Sequence, residues 1–364
     1  MNKLALISLL FFIHINFVFS QNKVKTKVDS LLFNPNVYAK SIRDCQLEKH
    51  LVFLASDSLK GRDTGSEGQK IAARYVADEF VKYGLKPLIK ENDGTLSFFQ
   101  TYFLQRLKSF GGRYTYQAIN PRTKGKIDSV STENVLGFIE GTDKKEEIIV
   151  ITSHLDHIGV DSDGKINNGA DDDGSGTVAL LELAQAFSRA KNAGNGPRRS
   201  ILFMTVTGEE KGLLGSKFFV ENPIFPLSKI VCNLNIDMIG RTDPAHEGKP
   251  DYIYLIGSDK LSSELHQISE QANNEHTMLE IDYTFNNPDD PNRFYYRSDH
   301  YNFAEKKIPV IFYFRGVHED YHQPTDDIEK IQFDQVEKIT RLVFYTAWEL
   351  ANRDERIMVD SSKK

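Results

Sequence analysis

The chain contains 364 residues, of which 26% are charged and 40% are hydrophobic, and its formal net charge is -6. A chain of this length can form one α/β domain with a large core. Acidic and basic residues are interspersed, and no Lys/Arg run is long enough to follow a phosphate backbone, so we do not expect a nucleic-acid partner.

The first twenty residues have the pattern of a signal peptide. Lys3 precedes an apolar run over residues 4–19, and small or modest side chains stand before Gln21. A membrane span is the alternative, but His14 and Asn16 interrupt the run, and a span needs about twenty predominantly apolar residues. We therefore predict an exported protein, periplasmic or secreted, with no stable membrane association and with residues 21–364 forming a single domain.

Two cysteines, Cys45 and Cys232, are far apart in the sequence. An oxidising compartment would permit a disulfide between them. Cys232, however, lies in an apolar run that suits a small buried side chain, so we expect two separate thiols.

The first part of the domain combines helices with antiparallel strands. Hydrophobic spacing predicts a short helix at 47–54 and an amphipathic helix at 67–83, which ends before Gly84. Strand-like runs follow at 97–104, 113–119 and 134–139, separated by turn residues. We expect these three strands to lie near an edge of a sheet.

Strands and helices then alternate along the chain. Strands are predicted at 148–153, 200–205, 229–236, 251–256, 278–285 and 308–314, and helices at 178–190, 213–220, 261–273 and 333–351. This alternation is typical of an α/β fold in which helices cover both faces of a largely parallel sheet.

A histidine follows the first of these buried strands. His154 should lie at the C-terminal end of the strand, where open α/β sheets bind their ligands. Asp156 is then close enough to accept the other ring N–H of His154, which would make the imidazole a better metal ligand. Alone, a His-x-Asp at a strand end indicates no more than a turn cap.

Three further segments carry carboxylates beside predicted helices or strands. Asp171-Asp172-Asp173 precedes a helix, and three adjacent charges are costly unless a cation or the helix N-terminus compensates them. Glu209-Glu210 follows strand 200–205, so one side chain can bind a metal while the other holds a proton. Asp237 ends strand 229–236. Each segment also has a purely structural alternative. The three aspartates suit a solvated acidic loop, Glu209-Glu210 suits an ordinary surface pair, and Asp237 suits an N-cap.

His322, after strand 308–314, supplies a second imidazole. His157 and His318 are interpreted as solvated bystanders, and Asp299-His300 is attributed to capping of a helix that follows Ser298. Mixed imidazole and carboxylate ligands without thiolate suit a hydrolytic zinc site, in which a shared carboxylate can bridge two ions about 3.5–4 Å apart.

In this order, the motifs resemble the M28 family of zinc peptidases, which includes di-zinc aminopeptidases. The resemblance covers nearly all of the chain after the signal peptide, and its motifs are Leu54-Ala55-Ser56-Asp57, Gly61-Arg62, His154-Leu155-Asp156, Gly169-Ala170-Asp171-Asp172-Asp173, Gly208-Glu209-Glu210, Asp237-Met238-Ile239-Gly240, Ser298-Asp299-His300 and Tyr321-His322. It implies a three-layer α/β/α sandwich around a mixed, largely parallel sheet, with residues 21–364 as one catalytic domain.

The resemblance also implies a role for each site residue and two zinc ions per chain. His154 and Asp237 would hold one zinc, Glu210 and His322 the other, and Asp172 would bridge them. Three further residues would be catalytic: Glu209 as the general base, Asp156 as the partner of His154, and Tyr321 as a donor to the oxyanion.

The activity that the resemblance implies is removal of N-terminal residues from peptides. The alternatives are a carboxypeptidase or dipeptidase of the same family, a one-zinc enzyme like the glutaminyl cyclases, and a catalytically inactive binding module. The segment Phe294-Tyr295-Tyr296-Arg297 either lines a pocket or packs on itself. The sequence predicts neither the side-chain preference nor the oligomeric state.

Overall fold

The computed structural model of the protein describes residues 34–108, 114–119 and 128–363. The predicted signal peptide and its cleavage site lie outside these residues. No helix of the described part is long and apolar enough to cross a membrane. Cys45 is exposed and Cys232 is buried, and both are free thiols, as predicted.

A nine-stranded sheet forms the centre of the described structure. Its strands lie in the order β12-β11-β13-β10-β6-β9-β5-β3-β4, and the pairs β1-β2 and β7-β8 form two small separate sheets. In chain order the strands are β1 (Ile89–Lys90), β2 (Leu96–Ser97), β3 (Phe99–Lys108), β4 (Tyr114–Ala118), β5 (Ser129–Ile139), β6 (Lys144–His154), β7 (Gly159–Val160), β8 (Ile166–Asn167), β9 (Arg199–Val206), β10 (Ile230–Ile236), β11 (Tyr252–Ile256), β12 (Glu280–Asp282) and β13 (Val310–Phe314).

The middle of this sheet is parallel. Strands β13, β10, β6 and β9 run in one direction, and Asn235 of β10 pairs with Thr152 of β6. On one side β11 pairs antiparallel with β13, and on the other β5, β3 and β4 are antiparallel. The structure thus confirms the mixed sheet with a parallel centre and places the three early strands at one edge, as predicted.

Helices cover both faces of the sheet. In chain order they are α1 (Pro35–Ala39), α2 (Asp44–Leu54), α3 (Glu67–Tyr83), α4 (Gly176–Asn192), α5 (Leu214–Glu221), α6 (Ser263–Ala272), α7 (His300–Glu305) and α8 (Phe333–Asn352). The α3 helix begins after Ser66, whose hydroxyl caps the amide of Gln69, and ends at Gly84 in left-handed backbone.

Alternate residues of β6 belong to two different cores, because successive side chains of a strand point to opposite faces. Ile149 and Ile151 pack in the core under α2, α3, α4 and α8. Ile148 and Val150 pack in the opposite core, which includes Phe219 of α5. Burial on both faces explains the uninterrupted apolar run of this strand. The result is the predicted three-layer α/β/α sandwich.

One predicted strand is much shorter in the structure. The pattern predicts a strand at 278–285, but β12 spans only Glu280–Asp282. Met278 has left-handed backbone with φ of 53°, which a strand does not accommodate. After the strand, the Asp282 carboxylate accepts a hydrogen bond from the amide of Thr284 at 2.7 Å and starts a turn. Local turn chemistry therefore limits the strand at both ends.

Candidate active site and metal centre

Four neighbouring strands bring the predicted ligands to one edge of the sheet. His154 is the last residue of β6, Asp237 directly follows β10, and Glu210 lies in the loop after β9. His322 lies in the loop after β13. Because these strands are adjacent and parallel, their C-terminal ends meet at one crevice.

Asp172 lies at the centre of this group and contacts both sets of ligands. Its Oδ1 atom is 3.0 Å from Nε2 of His154, which is 3.6 Å from Oδ1 of Asp237. Its Oδ2 atom is 3.2 Å from Nε2 of His322, which is 3.3 Å from Oε2 of Glu210. All five predicted ligands are therefore brought together, and each oxygen of Asp172 faces a different pair.

His157 is a buried member of the same group, so its interpretation as a solvated bystander was wrong. The residue is 0% exposed, and its Nδ1 atom lies 2.8 Å from Oε1 of Glu210 and 3.7 Å from Oδ2 of Asp172. The ring fits beside Gly169, where an added Cβ would lie 2.6 Å from the imidazole. The sequence signal was its place in the strand-end loop that begins at His154.

The side chains present fit metal ions better than they fit one another. Both ring nitrogens of His157, Oε1 of Glu210 and Nε2 of His322 are buried, and none of their close contacts has the geometry of a hydrogen bond within the described residues. Ligand atoms of two groups, His154-Asp172-Asp237 and His157-Asp172-Glu210, each lie within 4.8 Å of one another. Imidazole nitrogens and carboxylate oxygens that converge in this way suit zinc.

Asp171, the first of the three consecutive aspartates, connects two loops of the site. Its Oδ1 atom accepts a hydrogen bond from the amide of Gly240 at 2.5 Å, and its Oδ2 atom is 3.1 Å from Nε2 of His318. His318 is buried through this contact. The expectation that His318 is solvated was therefore wrong, although its ring contacts Asp171 rather than the five predicted ligands.

Asp173, the third aspartate, binds main-chain amides. Its carboxylate accepts hydrogen bonds from Gly176 at 2.9 Å and from His154 at 3.0 Å. Gly176 is the first residue of α4, so for Asp173 the helix N-terminus, one of the two compensating partners considered from the sequence, binds the carboxylate. The carboxylate of Asp172 is left to face the ligands.

A buried arginine fixes the loops that carry the ligands. The Arg62 guanidinium donates hydrogen bonds to four main-chain carbonyl oxygens, those of Leu54 at 2.5 Å, Asn168 at 2.7 Å, Leu155 at 2.9 Å and Gly169 at 2.9 Å. Two of these carbonyls precede the aspartate run and one directly follows His154. Arg62 of the Gly61-Arg62 motif therefore holds together the loops that carry the ligands.

Asp156 supports the site through a different atom from the one predicted. Nδ1 of His154 lies 2.9 Å from the main-chain oxygen of Asp156, not from its carboxylate. The carboxylate instead accepts hydrogen bonds from the Thr64 hydroxyl at 2.6 Å and from the Glu209 amide at 3.3 Å. Because a carbonyl only accepts, Nδ1 carries a proton, and Nε2 is the ring nitrogen that faces Asp172 and Asp237.

Glu209 and Tyr321 line the same cleft, and burial affects the pKa of both. Burial raises the pKa of Glu209 well above its usual value; His154 opposes this shift, and the Glu210 and Asp237 carboxylates reinforce it. Burial also raises the pKa of Tyr321, so its phenol keeps its proton.

The segment Ser298-Asp299-His300 is not explained by capping. Asp299 occupies the N-cap position of α7, but its carboxylate makes no capping hydrogen bond. It accepts instead from the Ser216 hydroxyl, and burial raises the pKa of Asp299 to about 7. Ser298 donates to Oδ2 of Asp237 at 2.6 Å and so orients a predicted ligand. The capping interpretation was therefore wrong.

An open cleft of about 350 Å³ lies beside the ligands. It is lined by His154, Asp172, Glu209, Asp237, Met238, Phe294, Arg297, Phe312, Phe314, Val317 and Tyr321. Of the aromatic segment noted in the sequence, Phe294 and Arg297 line this cleft. Tyr295 and Tyr296 line a separate neighbouring cavity.

Several known proteins are similar to this chain in sequence or in fold. A probable leucine aminopeptidase of Arthroderma otae is 29% identical over 273 residues, which are 68% of this chain and 71% of that protein. A probable glutamate carboxypeptidase of Arabidopsis thaliana is 36% identical over 114 residues, 31% of this chain and 16% of that protein. The structure of a zinc aminopeptidase from Bacillus subtilis superposes with a TM-score of 0.62 at 16% identity, covering 89% of this chain and 99% of the other.

The parallel strand ends, the central Asp172 and the motifs from His154 to His322 lie in a stretch that a family profile also recognises. The profile of peptidase family M28 matches residues 134–347, more than half of the 364-residue chain. The chain therefore belongs to peptidase family M28.

Proposed function

We propose that the protein is an exported di-zinc aminopeptidase that removes N-terminal residues from peptides. The observation that carries this proposal is the division of the Asp172 carboxylate, with Oδ1 beside His154 and Oδ2 beside His322. A carboxylate with one oxygen toward each ligand pair suits a bridge between two ions.

The two ions would be held by residues on either side of Asp172. His154 and Asp237 would hold one, and Glu210 and His322 the other. When bound, zinc supplies Lewis-acid chemistry, which polarises the scissile carbonyl and lowers the pKa of water. The proton on Nδ1 of His154, fixed by the carbonyl of Asp156, keeps Nε2 available as a ligand atom.

Glu209 and Tyr321 would carry the proton transfers and the charge of the reaction. Glu209 lines the cleft beside His154 and Asp237, where its carboxylate takes a proton from water and gives it to the leaving amine. The phenol of Tyr321 lines the same cleft and keeps its proton, so it donates a hydrogen bond to the developing oxyanion.

The relative in Arthroderma otae and the charges that line the cleft both favour an exopeptidase that reads the N-terminus. The relative is named as a probable leucine aminopeptidase. The carboxylates that line the cleft also favour a positively charged amine at this end of the substrate.

A panel of free and N-acetylated peptides tests this reading. Acetylation removes the charge of the amine, so we expect kcat/KM for acetylated peptides to fall by about 10- to 100-fold, as for a lost hydrogen bond to a charged group. Equal rates for free and acetylated peptides would contradict an aminopeptidase.

The carboxypeptidase or dipeptidase alternative is supported by the Arabidopsis thaliana relative, which is named as a probable glutamate carboxypeptidase. Activity on acetylated peptides that depends on a free C-terminal carboxylate would favour it. Zinc content tests the other two alternatives. One zinc per chain with full activity would favour a cyclase-like enzyme, and a folded protein without stoichiometric zinc would favour a binding module.

Export and domain organisation complete the proposal. Residues 1–20 would be removed as a signal peptide, and residues 21–364 would form one catalytic domain in the periplasm or outside the cell. N-terminal sequencing of the mature protein should therefore begin near Gln21. A chain that retains Met1 or stays in the membrane fraction would contradict export.

A further inference from the structure

Arg297 places a positive charge in the cleft beside the predicted catalytic residues. Its side chain lines the cleft together with Glu209, Asp237 and Tyr321. One terminal nitrogen of its guanidinium lies 3.4 Å from the Tyr321 hydroxyl. Within the described ranges, no carboxylate approaches this guanidinium to the 4.0 Å of an ion pair, whereas many other arginines make such pairs.

Besides the hydrogen bond that it donates to Tyr321, the guanidinium is oriented by stacking. Its central carbon lies 4.9 Å above the ring of Phe294, a contact that fixes the plane of the group and leaves its other N–H groups at the edge. Phe294 is itself buried, because its ring packs on Phe285 and Phe314. Its amide also donates a hydrogen bond to the Asp290 carboxylate at 3.0 Å.

Stacking alone does not explain why an arginine stands at this position. Arg293, in the same segment, also stacks at 4.9 Å, over Tyr296, but it lines the neighbouring cavity and not this cleft. The cleft that Arg297 lines also includes the apolar side chains of Met238, Phe312 and Val317. A planar cation in such a cleft, with N–H donors that make no ion pair, suits a planar anion of the ligand.

Carboxylate is the anion that matches this geometry in a peptidase. The guanidinium fork binds a carboxylate through two parallel hydrogen bonds, and peptides carry carboxylates on acidic side chains and at the C-terminus. Glu209, Asp172 and Asp237 line the same cleft. The cleft therefore offers carboxylates, which suit an amine and the ions, together with one guanidinium, which suits an anion.

We propose that Arg297 is a specificity-determining residue that binds a substrate carboxylate close to the scissile bond. The inference rests on the proposed peptidase function and adds a substrate class to it. The carboxylate comes either from an acidic N-terminal side chain or from the C-terminus of a dipeptide, and one experiment separates the two sources.

The experiment compares kcat/KM for two matched substrate pairs. The first pair has N-terminal Glu or Gln in an otherwise identical C-terminally amidated tripeptide. The second pair is one apolar dipeptide as the free acid or as the amide. We expect the carboxylate-bearing member of at least one pair to be preferred by about 10- to 100-fold, the range for a hydrogen bond to a charged group. The pair that shows the preference identifies the source.

Variants test whether Arg297 causes the preference. Arg297→Gln should reduce the ratio within the preferred pair to about one, and Arg297→Lys should restore part of it, because Lys keeps the charge without the planar fork. Arg293→Gln is the matched control and should keep the full ratio. Circular dichroism of each variant shows whether it folds. If Arg297→Gln does not fold, the ratio measured for Arg297→Lys decides whether Arg297 causes the preference.

Two results would overturn the inference. One is an unmodified enzyme with no preference in either pair. The other is an Arg297→Gln variant that loses kcat equally on all four substrates, because this would make Arg297 a support for Tyr321 only. The comparison of free and acetylated peptides tests the aminopeptidase function separately. If the enzyme proved not to need a free amine, the ratio of kcat/KM within each carboxylate pair would still test Arg297.

Discussion

The main-chain oxygen of Asp156, and not its carboxylate, contacts Nδ1 of His154, at 2.9 Å. The carboxylate is held between the Thr64 hydroxyl and the amide of Glu209. The two functions of Asp156 are therefore separate. Its backbone orients a ligand, and its side chain fixes the loop that carries the predicted general base.

This separation predicts the behaviour of Asp156→Ala. The variant keeps the carbonyl that orients His154, so zinc content should remain at the unmodified level. Loss of the contacts with Thr64 and Glu209 should lower kcat by about 10- to 100-fold, the usual cost of removing a group that orients an active-site residue. Metal analysis and kcat on one preparation check both values.

Asp163→Ala provides the control for Asp156, because Asp163 is an exposed residue of a turn. It should change neither value. A large loss of zinc from Asp156→Ala, without a loss from the control, would show that the carboxylate acts on His154 after all.

Arg62 should contribute strongly to stability. Arg62→Lys replaces a fork that reaches four carbonyls with a single ammonium, so at least one buried carbonyl loses its donor. We expect the free energy of unfolding to fall by about 2–4 kcal/mol. Denaturant titration of the zinc-loaded protein measures the change.

The matched variant is Arg74→Lys, because the Arg74 side chain is 56% exposed and pairs with an exposed glutamate, Glu67. Such a surface change should alter the free energy of unfolding by less than about 0.5 kcal/mol. If the two variants unfolded at the same denaturant concentration, the contacts of Arg62 would not support the fold.

His157 should contribute to metal affinity. Its ring is buried against Glu210 and Asp172, so His157→Ala should weaken the zinc that Glu210 holds, by about 10- to 100-fold in Kd. The other zinc should be unaffected. Competition with a chelator, followed by metal analysis, resolves the two affinities without reference to activity.

His276→Ala is the comparison for His157, since His276 stacks on Tyr345 at a distance from the site. It should retain both affinities. Equal zinc affinities in the two variants would leave His157 with a packing role beside Gly169.

The sequence predicted the fold and the polar residues at the strand ends because both depend on local patterns, whereas the assignment of five metal ligands came from the resemblance to the M28 family. Apolar runs of strand length, such as that of β6, predict buried strands, and parallel strands place their C-terminal ends at a common edge. A polar residue directly after such a run, as His154 and Asp237 are, is therefore placed in the crevice without knowledge of any contact.

The misinterpreted residues depend on contacts between distant segments. His157 is buried because Glu210 and Asp172 approach it from other strands, and His318 because Asp171 does. The carboxylate of Asp299 binds Ser216 of α5 rather than its own helix. The atom of Asp156 that contacts His154 depends on the backbone of the turn, which residue identity does not specify.

Glu209 and Glu210 are adjacent in the sequence but have different proposed roles, Glu209 as the general base and Glu210 as a zinc ligand. Glu209→Gln keeps the shape of the side chain but cannot take a proton near neutral pH. It should bind two zinc ions per chain while kcat falls about 10²- to 10⁴-fold, the usual contribution of a general base. Glu210→Gln should lose zinc and activity together.

The most direct measurement is therefore zinc content and kcat of Glu209→Gln and Glu210→Gln on the same preparations. The account predicts two zinc ions with low kcat for Glu209→Gln, and fewer than two for Glu210→Gln. Zinc loss from Glu209→Gln with full retention by Glu210→Gln would reverse the two roles, and full activity of Glu209→Gln would contradict the mechanism.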